Sequence, residues 1–168
     1  MKAIIVYTSL AHGNTEKIAR AMAETLPADM VPVEKIKARQ LLDYDLIGLG
    51  SGIYHYGFHK KLIQFSLDLS KFAHPPVFVF STSGLGNTGQ NKSFTRHLSD
   101  LGFPVIGSFA CKGLDDYGIK KLFGGIAQGR PNADDLQSAR EFAEKMGSWR
   151  TAPSPQLARA LAEGSRAG

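Results

Sequence analysis

Four short stretches of this chain are apolar without alternation: residues 3–7 (AIIVY), 46–50 (LIGLG), 77–81 (VFVFS) and 105–111 (VIGSFAC). A strand covered on one face alternates apolar and polar residues, whereas an unbroken run rich in Val, Ile and Phe belongs to a strand covered on both faces. Between the runs the apolar period becomes helical. Ile18, Ala19, Met22, Ala23 and Leu26 share one helical face, as do Leu136, Ala139, Ala143 and Met146. Weaker helices are expected over residues 61–69 and 94–101, and a weak strand over 31–34 brings the strands to five. Strand and helix in alternation specify an α/β domain, a parallel sheet with helices on both faces. Asn132, after Pro131 and three residues before Asp135, is suited to cap the last helix. Residues 1–150 are expected to form this domain. From residue 151 the chain turns to Pro, Ala, Ser and Gly, so 151–168 reads as a loosely held tail with at most one helical turn at 157–161.

Several function classes lose support at once. The lone Cys111 cannot form an internal disulfide and reads as a small apolar strand residue. Residues 3–7 are too short for a signal peptide or a membrane span, so a cytoplasmic protein without membrane attachment is expected, monomeric by default. The chain carries 20 basic and 15 acidic residues, a formal +5. Lys35, Lys37, Arg39, Lys60, Lys61, Lys120 and Lys121 are scattered, without the aromatic interleaving or zinc-finger spacing of a nucleic-acid binder, so nucleic acid is not an expected partner. His55 and His59 have no carboxylate or Cys at ligand spacing, and no metal is expected.

In an open parallel sheet, ligands bind outside the carboxyl ends of the strands, where the unusual loops of this sequence fall. After the first strand comes Thr8-Ser9-Leu10-Ala11-His12-Gly13-Asn14-Thr15, running straight into the first helix. The free amides of a helix start, joined by the hydroxyls of Thr8, Ser9 and Thr15, can bind a phosphate without Lys or Arg, and Gly13 allows close backbone approach. The same residue types also serve as plain helix caps. No Gly-x-Gly-x-x-Gly follows the first strand, and the glycines at 84 and 89 are followed by Gln90 and Asn91 where a P-loop requires Lys and Ser or Thr. The loop after the third strand, Ser51-Gly52-Ile53-Tyr54-His55-Tyr56-Gly57-Phe58, offers aromatic rings for stacking, Phe58 being expected instead to pack on the following helix. The loop after the fourth, Ser81-Thr82-Ser83-Gly84-Leu85-Gly86-Asn87, offers amides and hydroxyls to the edge of a flat ring.

These residues resemble the flavodoxin-like family from residue 1 to about 149, most specifically in the Gly13-Asn14-Thr15 entry to the first helix. The resemblance implies a flavodoxin-like three-layer sandwich with a five-stranded parallel sheet in the order 2-1-3-4-5, and FMN as cofactor. It implies that Thr8, Ser9, His12, Gly13, Asn14 and Thr15 hold the phosphate. Ser51, Gly52, Ile53, Tyr54 and His55, with Ser81, Thr82, Ser83 and Gly84, would flank the isoalloxazine, Tyr54 being the stacking ring. A backbone carbonyl in the Gly52 or Gly84 turn would accept a hydrogen bond from the reduced ring. The implied function is electron transfer with a redox partner protein, with no catalytic side chain. An FMN-dependent NAD(P)H:quinone oxidoreductase and a flavin-free phospho-acceptor domain are the alternatives. The latter needs carboxylates where Thr8, Ser9, Gly50 and Ser51 stand. Three features depart from the family's pattern: Leu10, Ala11 and His12 stand where hydroxyls are usual, the chain is basic where electron-carrier flavodoxins are acidic, and the connection 112–130 is long, either covering the flavin or containing a short helix.

Overall fold

Among the described residues, five parallel strands and four α-helices form the fold. The structure, a computed structural model, describes residues 1–114 and 126–149. The strands are β1 (Ala3–Tyr7), β2 (Ala28–Pro32), β3 (Leu46–Tyr54), β5 (Val77–Ser83) and β6 (Val105–Lys112), with a two-residue strand β4 (Gly57–Phe58) between β3 and β5. The helices are α1 (Asn14–Thr25), α2 (Lys60–Ser70), α3 (Lys92–Asp100) and α4 (Ala133–Ser148). The order across the sheet is β2-β1-β3-β5-β6, which is 2-1-3-4-5 for the five parallel strands. The expected tail, 151–168, and most of the connection after β6 lie outside the described residues.

Burial on both faces explains the unbroken apolar runs. In β1, Ala3, Ile5 and Tyr7 join the core layer that includes Ile18 and Met22 of α1 and Ala139 and Ala143 of α4. Ile4 and Val6 join the opposite layer, with Leu62 and Phe65 of α2 and Phe94 and Leu98 of α3. In β5, Phe78 and Phe80 go to the first layer, Val77 and Val79 to the second. The glycines of β3 answer those phenylalanines. A Cβ at Gly48 would stand 2.4 Å from the Phe78 ring, and one at Gly50 would stand 2.0 Å from the Phe80 ring. Any larger residue there would displace a fully buried ring.

Two expectations about the strands require correction. The weak strand falls on Ala28–Pro32 rather than 31–34, pairing Ala3 with Ala28 through Tyr7 with Pro32. Val33 is buried but belongs to a short 3-10 turn, Val33–Lys35, so its apolarity marks a core contact and not the strand. The third strand does not end at Gly50. It runs to Tyr54 and folds into a hairpin, Ile53 pairing with Phe58 and Tyr54 with Gly57. The hairpin turn is His55-Tyr56, with φ of 48° and 69°. Two left-handed residues make a turn of the type that normally uses Asn-Gly, so neither residue carried a turn signal.

Candidate functional site

The loops after β1, β3 and β5 emerge side by side because those strands are neighbours in the sheet. In the first, His12 (φ 69°) and Gly13 (φ 63°) are both left-handed, and α1 begins directly after them with no side-chain cap. A non-glycine residue in that conformation carries strain that persists only where its surroundings impose it. Ser9 Oγ accepts from the Glu16 amide at 3.3 Å, engaging one of the four unsatisfied amides of the helix start. A Cβ at Gly13 would meet nothing within 4 Å, so this amino terminus opens outward.

The hydroxyls of the three segments form a buried floor beneath that opening. Thr8 Oγ1 donates to Ser51 Oγ at 3.0 Å, and Ser51 Oγ donates to the Gly52 carbonyl at 2.6 Å while accepting from the His59 amide at 3.0 Å. Thr15 and Thr82 share a hydrogen bond of 2.9 Å. Ser81 Oγ donates to Asn91 Oδ1 at 2.6 Å, and Asn91 Nδ2 donates to Ser108 Oγ and to the Phe109 carbonyl. Counting protons decides which groups can still donate. Those of Thr8, Ser51 and Ser81 are committed, whereas Ser9 and one member of the Thr15–Thr82 pair retain one. Thr8 and Ser51 therefore tie β1 to β3 and do not donate outward.

Asn14 connects the site to the segment after β6. Its Nδ2 donates to the Leu114 carbonyl at 2.9 Å, while its buried Oδ1 has no hydrogen-bond partner among the described residues. A buried acceptor left in that state normally has a donor in the functional assembly. Gly113 is required for the approach, since a Cβ there would stand 2.9 Å from Asn14 Nδ2.

The aromatic residues divide in a way the sequence did not reveal. Tyr54, half-buried, curls back along its own strand, so that a Cβ on Gly52 would stand 2.6 Å from its hydroxyl. The hydroxyl meets the backbone of Leu10, and the ring edge meets His59 at 5.6 Å. Burial raises the Tyr54 phenol above its ordinary value, keeping it protonated. Tyr54 thus bridges the loops after β1 and β3. Phe58 joins the core layer of α2, as expected, but stacks its ring on Phe94 of α3 at 4.4 Å. Ile53 packs against the same layer and His55 is exposed, so neither lies on the floor with Ser51 and Thr82.

The remaining residues of the loops after β3 and β5 are engaged within their own segments. Ser83 Oγ donates to Gln90 and accepts from the Gly86 amide, shaping its own turn. Gly84 is buried in that turn, while Gly52 lies inside β3, paired with Thr82, and its carbonyl already accepts from Ser51. The expected Gly52 turn carbonyl is therefore corrected to a strand carbonyl. Asn91, whose buried amide fixes the loop after β5 against β6, had no local signal in the sequence. Among the described residues no three His, Cys, Asp or Glu side chains gather as a metal set, and no helix is long and apolar enough to cross a membrane.

Known proteins resemble the chain at two levels. The flavodoxin domain model matches residues 4–111. An uncharacterized protein of Methanocaldococcus jannaschii is 43% identical over 148 residues, covering 87% of this chain and 98% of that protein. Among solved structures, a flavodoxin from the domain Archaea has a TM-score of 0.68 at 17% identity, covering 88% of this chain and 97% of its own. Oxidised Flavodoxin 1 from Bacillus cereus has a TM-score of 0.65 at 16% identity, covering 89% and 99%. A WrbA-like flavodoxin from Agrobacterium tumefaciens has a TM-score of 0.59 at 21% identity, covering 88% and 95%. At these identities the structural likeness speaks to the fold.

Proposed function

The chain belongs to the flavodoxin domain family, and from that premise we propose that it binds FMN at the carboxyl ends of β1, β3 and β5 and acts as an electron-transfer protein. The observation that carries the proposal is the open start of α1, where left-handed Gly13 offers no cap of its own and Ser9 engages the Glu16 amide alone. Helix amides and the positive end of the helix dipole suit a phosphate dianion there. Ser9 and His12 stand beside it. The unpaired, buried Asn14 Oδ1 suits a hydroxyl of the ribityl chain, an acceptor meeting a donor. Tyr54 presents the ring for the isoalloxazine, with residues 51–52 and 81–84 at its edge. These residues fit the group.

Bound FMN supplies reversible redox chemistry at one or two electrons, and the protein sets orientation and electrostatics. The open helix start holds the phosphate by charge and dipole. The Thr8–Ser51 and Thr15–Thr82 bonds keep the three segments at fixed spacing, so the binding surface is formed in advance. Asn14, bonded to Leu114, couples the phosphate end to the segment after β6.

Adding FMN to the purified full-length protein tests the reading. Stoichiometric quenching of flavin fluorescence and a rise in melting temperature are expected; a protein that neither quenches FMN nor is stabilised by it overturns the reading. The basic balance of the chain favours, as second reading, an FMN-dependent NAD(P)H:quinone oxidoreductase with an anionic reductant. Steady-state oxidation of NADPH by the holoprotein with a quinone discriminates: a carrier gives no turnover beyond that of free FMN, an oxidoreductase does.

A further inference from the structure

Each of the three site loops ends in an exposed apolar side chain. Leu10, after β1, is 52% exposed; Tyr56, in the hairpin after β3, is 93% exposed; Leu85, after β5, is 70% exposed. Tyr56 and Leu85 are the two most exposed of the large apolar side chains among the described residues. Tyr56 reaches its position through a left-handed backbone, φ 69°, which a bulky residue adopts only at a cost. Three exposed apolar tips on neighbouring loops at one edge mark an interaction surface rather than scattered surface residues.

At the starts of α2 and α3 the unpaired charge is basic. Helix starts favour acidic residues, yet the first turns of α2 and α3 contain none. They carry Lys60, Lys61 and Lys92 instead. Lys61 is paired with Glu34 at 3.1 Å, whereas Lys60 and Lys92 are exposed and form no ion pair among the described residues. Lys112, exposed at the end of β6, lies against the turn that carries Leu85, since a Cβ on Gly86 would stand 2.6 Å from its backbone nitrogen. Of the acidic residues starting the other two helices, Glu16 is bound to Arg20 at 3.1 Å and Asp135 to Arg130 at 2.8 Å, which leaves Asp134, exposed in the first turn of α4, against three lysines. The lysines and the positive ends of α2 and α3 thus surround an apolar centre.

We propose that this edge is the docking surface for an acidic redox protein, one that presents carboxylates around an apolar patch. The occupant follows from charge complementarity: apolar tips supply the desolvated centre, and the lysine rim steers and orients an anionic partner. A second copy of this chain would bring the same positive rim against itself. The proposal rests on the electron-transfer reading for the partner's role, but its geometry is tested without it.

The test is a titration of isotope-labelled full-length protein, saturated with FMN, followed by amide NMR. Cytochrome b5, an acidic haem protein, is one probe, and cytochrome c, a basic one, is the other. Cytochrome b5 is expected to shift the amides of Leu10, Tyr56 and Leu85, with affinity falling about tenfold as salt screens the rim. The triple variant Lys60→Glu, Lys92→Glu, Lys112→Glu should lose about tenfold in affinity at low salt, and Tyr56→Ser should weaken binding at every salt concentration. Cytochrome c should leave these amides unmoved. Shifts with cytochrome c equal to those with cytochrome b5, no shifts at the three tips, or a triple variant within about twofold of the parent would overturn the proposal. Tighter binding to phosphatidylserine vesicles than to cytochrome b5 would also overturn it, in favour of a membrane surface. Visible absorption of the same sample reports FMN binding separately. Shifts at the tips in a protein that takes up no FMN leave the surface standing and remove the redox reading.

Discussion

Helices α1 and α4 pack against the same face of the sheet and both begin at its carboxyl edge, yet their starts are opposites. At α4, Asn132 Oδ1 accepts from the Asp135 amide at 3.1 Å and Asp135 Oδ2 accepts from the Asn132 amide at 2.9 Å, while the Arg130 guanidinium lies 2.8 Å from the same carboxylate. The helix start is satisfied from within. At α1 the preceding residue is Gly13 with φ 63°, which offers no side-chain cap, Ser9 takes the Glu16 amide at 3.3 Å, and a Cβ at Gly13 would meet nothing within 4 Å. One start consumes its donors to stabilise the fold; the other leaves most of them open, as the proposed phosphate site requires.

Substitutions at the two starts should therefore separate stability from cofactor affinity. Asp135→Ala keeps the Asn132 cap on the backbone amide but removes the return bond to the Asn132 amide and the carboxylate partner of Arg130, and should cost about 2 kcal/mol in urea unfolding with FMN affinity unchanged. A parallel loss of FMN affinity would break the contrast. Gly13→Asp puts a carboxylate and a Cβ at the open start. It should lower FMN affinity by about a hundredfold, through charge repulsion, with about 1 kcal/mol lost in the apoprotein. Unchanged affinity would mean that the phosphate binds elsewhere. Thr15→Val, at the floor, removes the bond to Thr82 and should cost about 1 kcal/mol in stability and a few-fold in FMN affinity, read by melting and by fluorescence titration.

Cys111 senses the closed start and gives the smallest effect. Burial, with Asp135 adding to it, pushes its thiol up to about 12. Well below that value it stays protonated, so at pH 8 the native protein should react slowly with a disulfide reagent and the urea-unfolded protein fast. Asp135→Ala should raise the native rate modestly, and the increase should be read against that variant's lower stability.

The sheet was legible because burial on both faces leaves an unbroken apolar run that no other element of that length requires. Strand order was not legible in the runs and came from the resemblance. The Asn132–Asp135 cap could be read from residue types because its partners lie three apart. The hairpin was hidden because His55 and Tyr56 occupy backbone conformations normally given to Asn and Gly. Asn91 was hidden because its partners, Ser81, Ser108 and Phe109, come from two separate strands and meet only in the folded sheet. Residues 8, 15, 51 and 82, expected as cofactor contacts, meet at one edge of the sheet. Their hydroxyls, however, bond to one another across the strands, and sequence spacing cannot distinguish a donor aimed outward from one aimed at a neighbour.

The claim on which everything rests is that the open start of α1 holds the terminal phosphate of the flavin. Comparing the affinities of FMN and riboflavin for the purified protein, by fluorescence quenching under identical conditions, tests this most directly. The two ligands differ only in the phosphate, so FMN should bind at least about a hundredfold more tightly, the scale expected of several charge-assisted hydrogen bonds. Equal affinities would contradict the account.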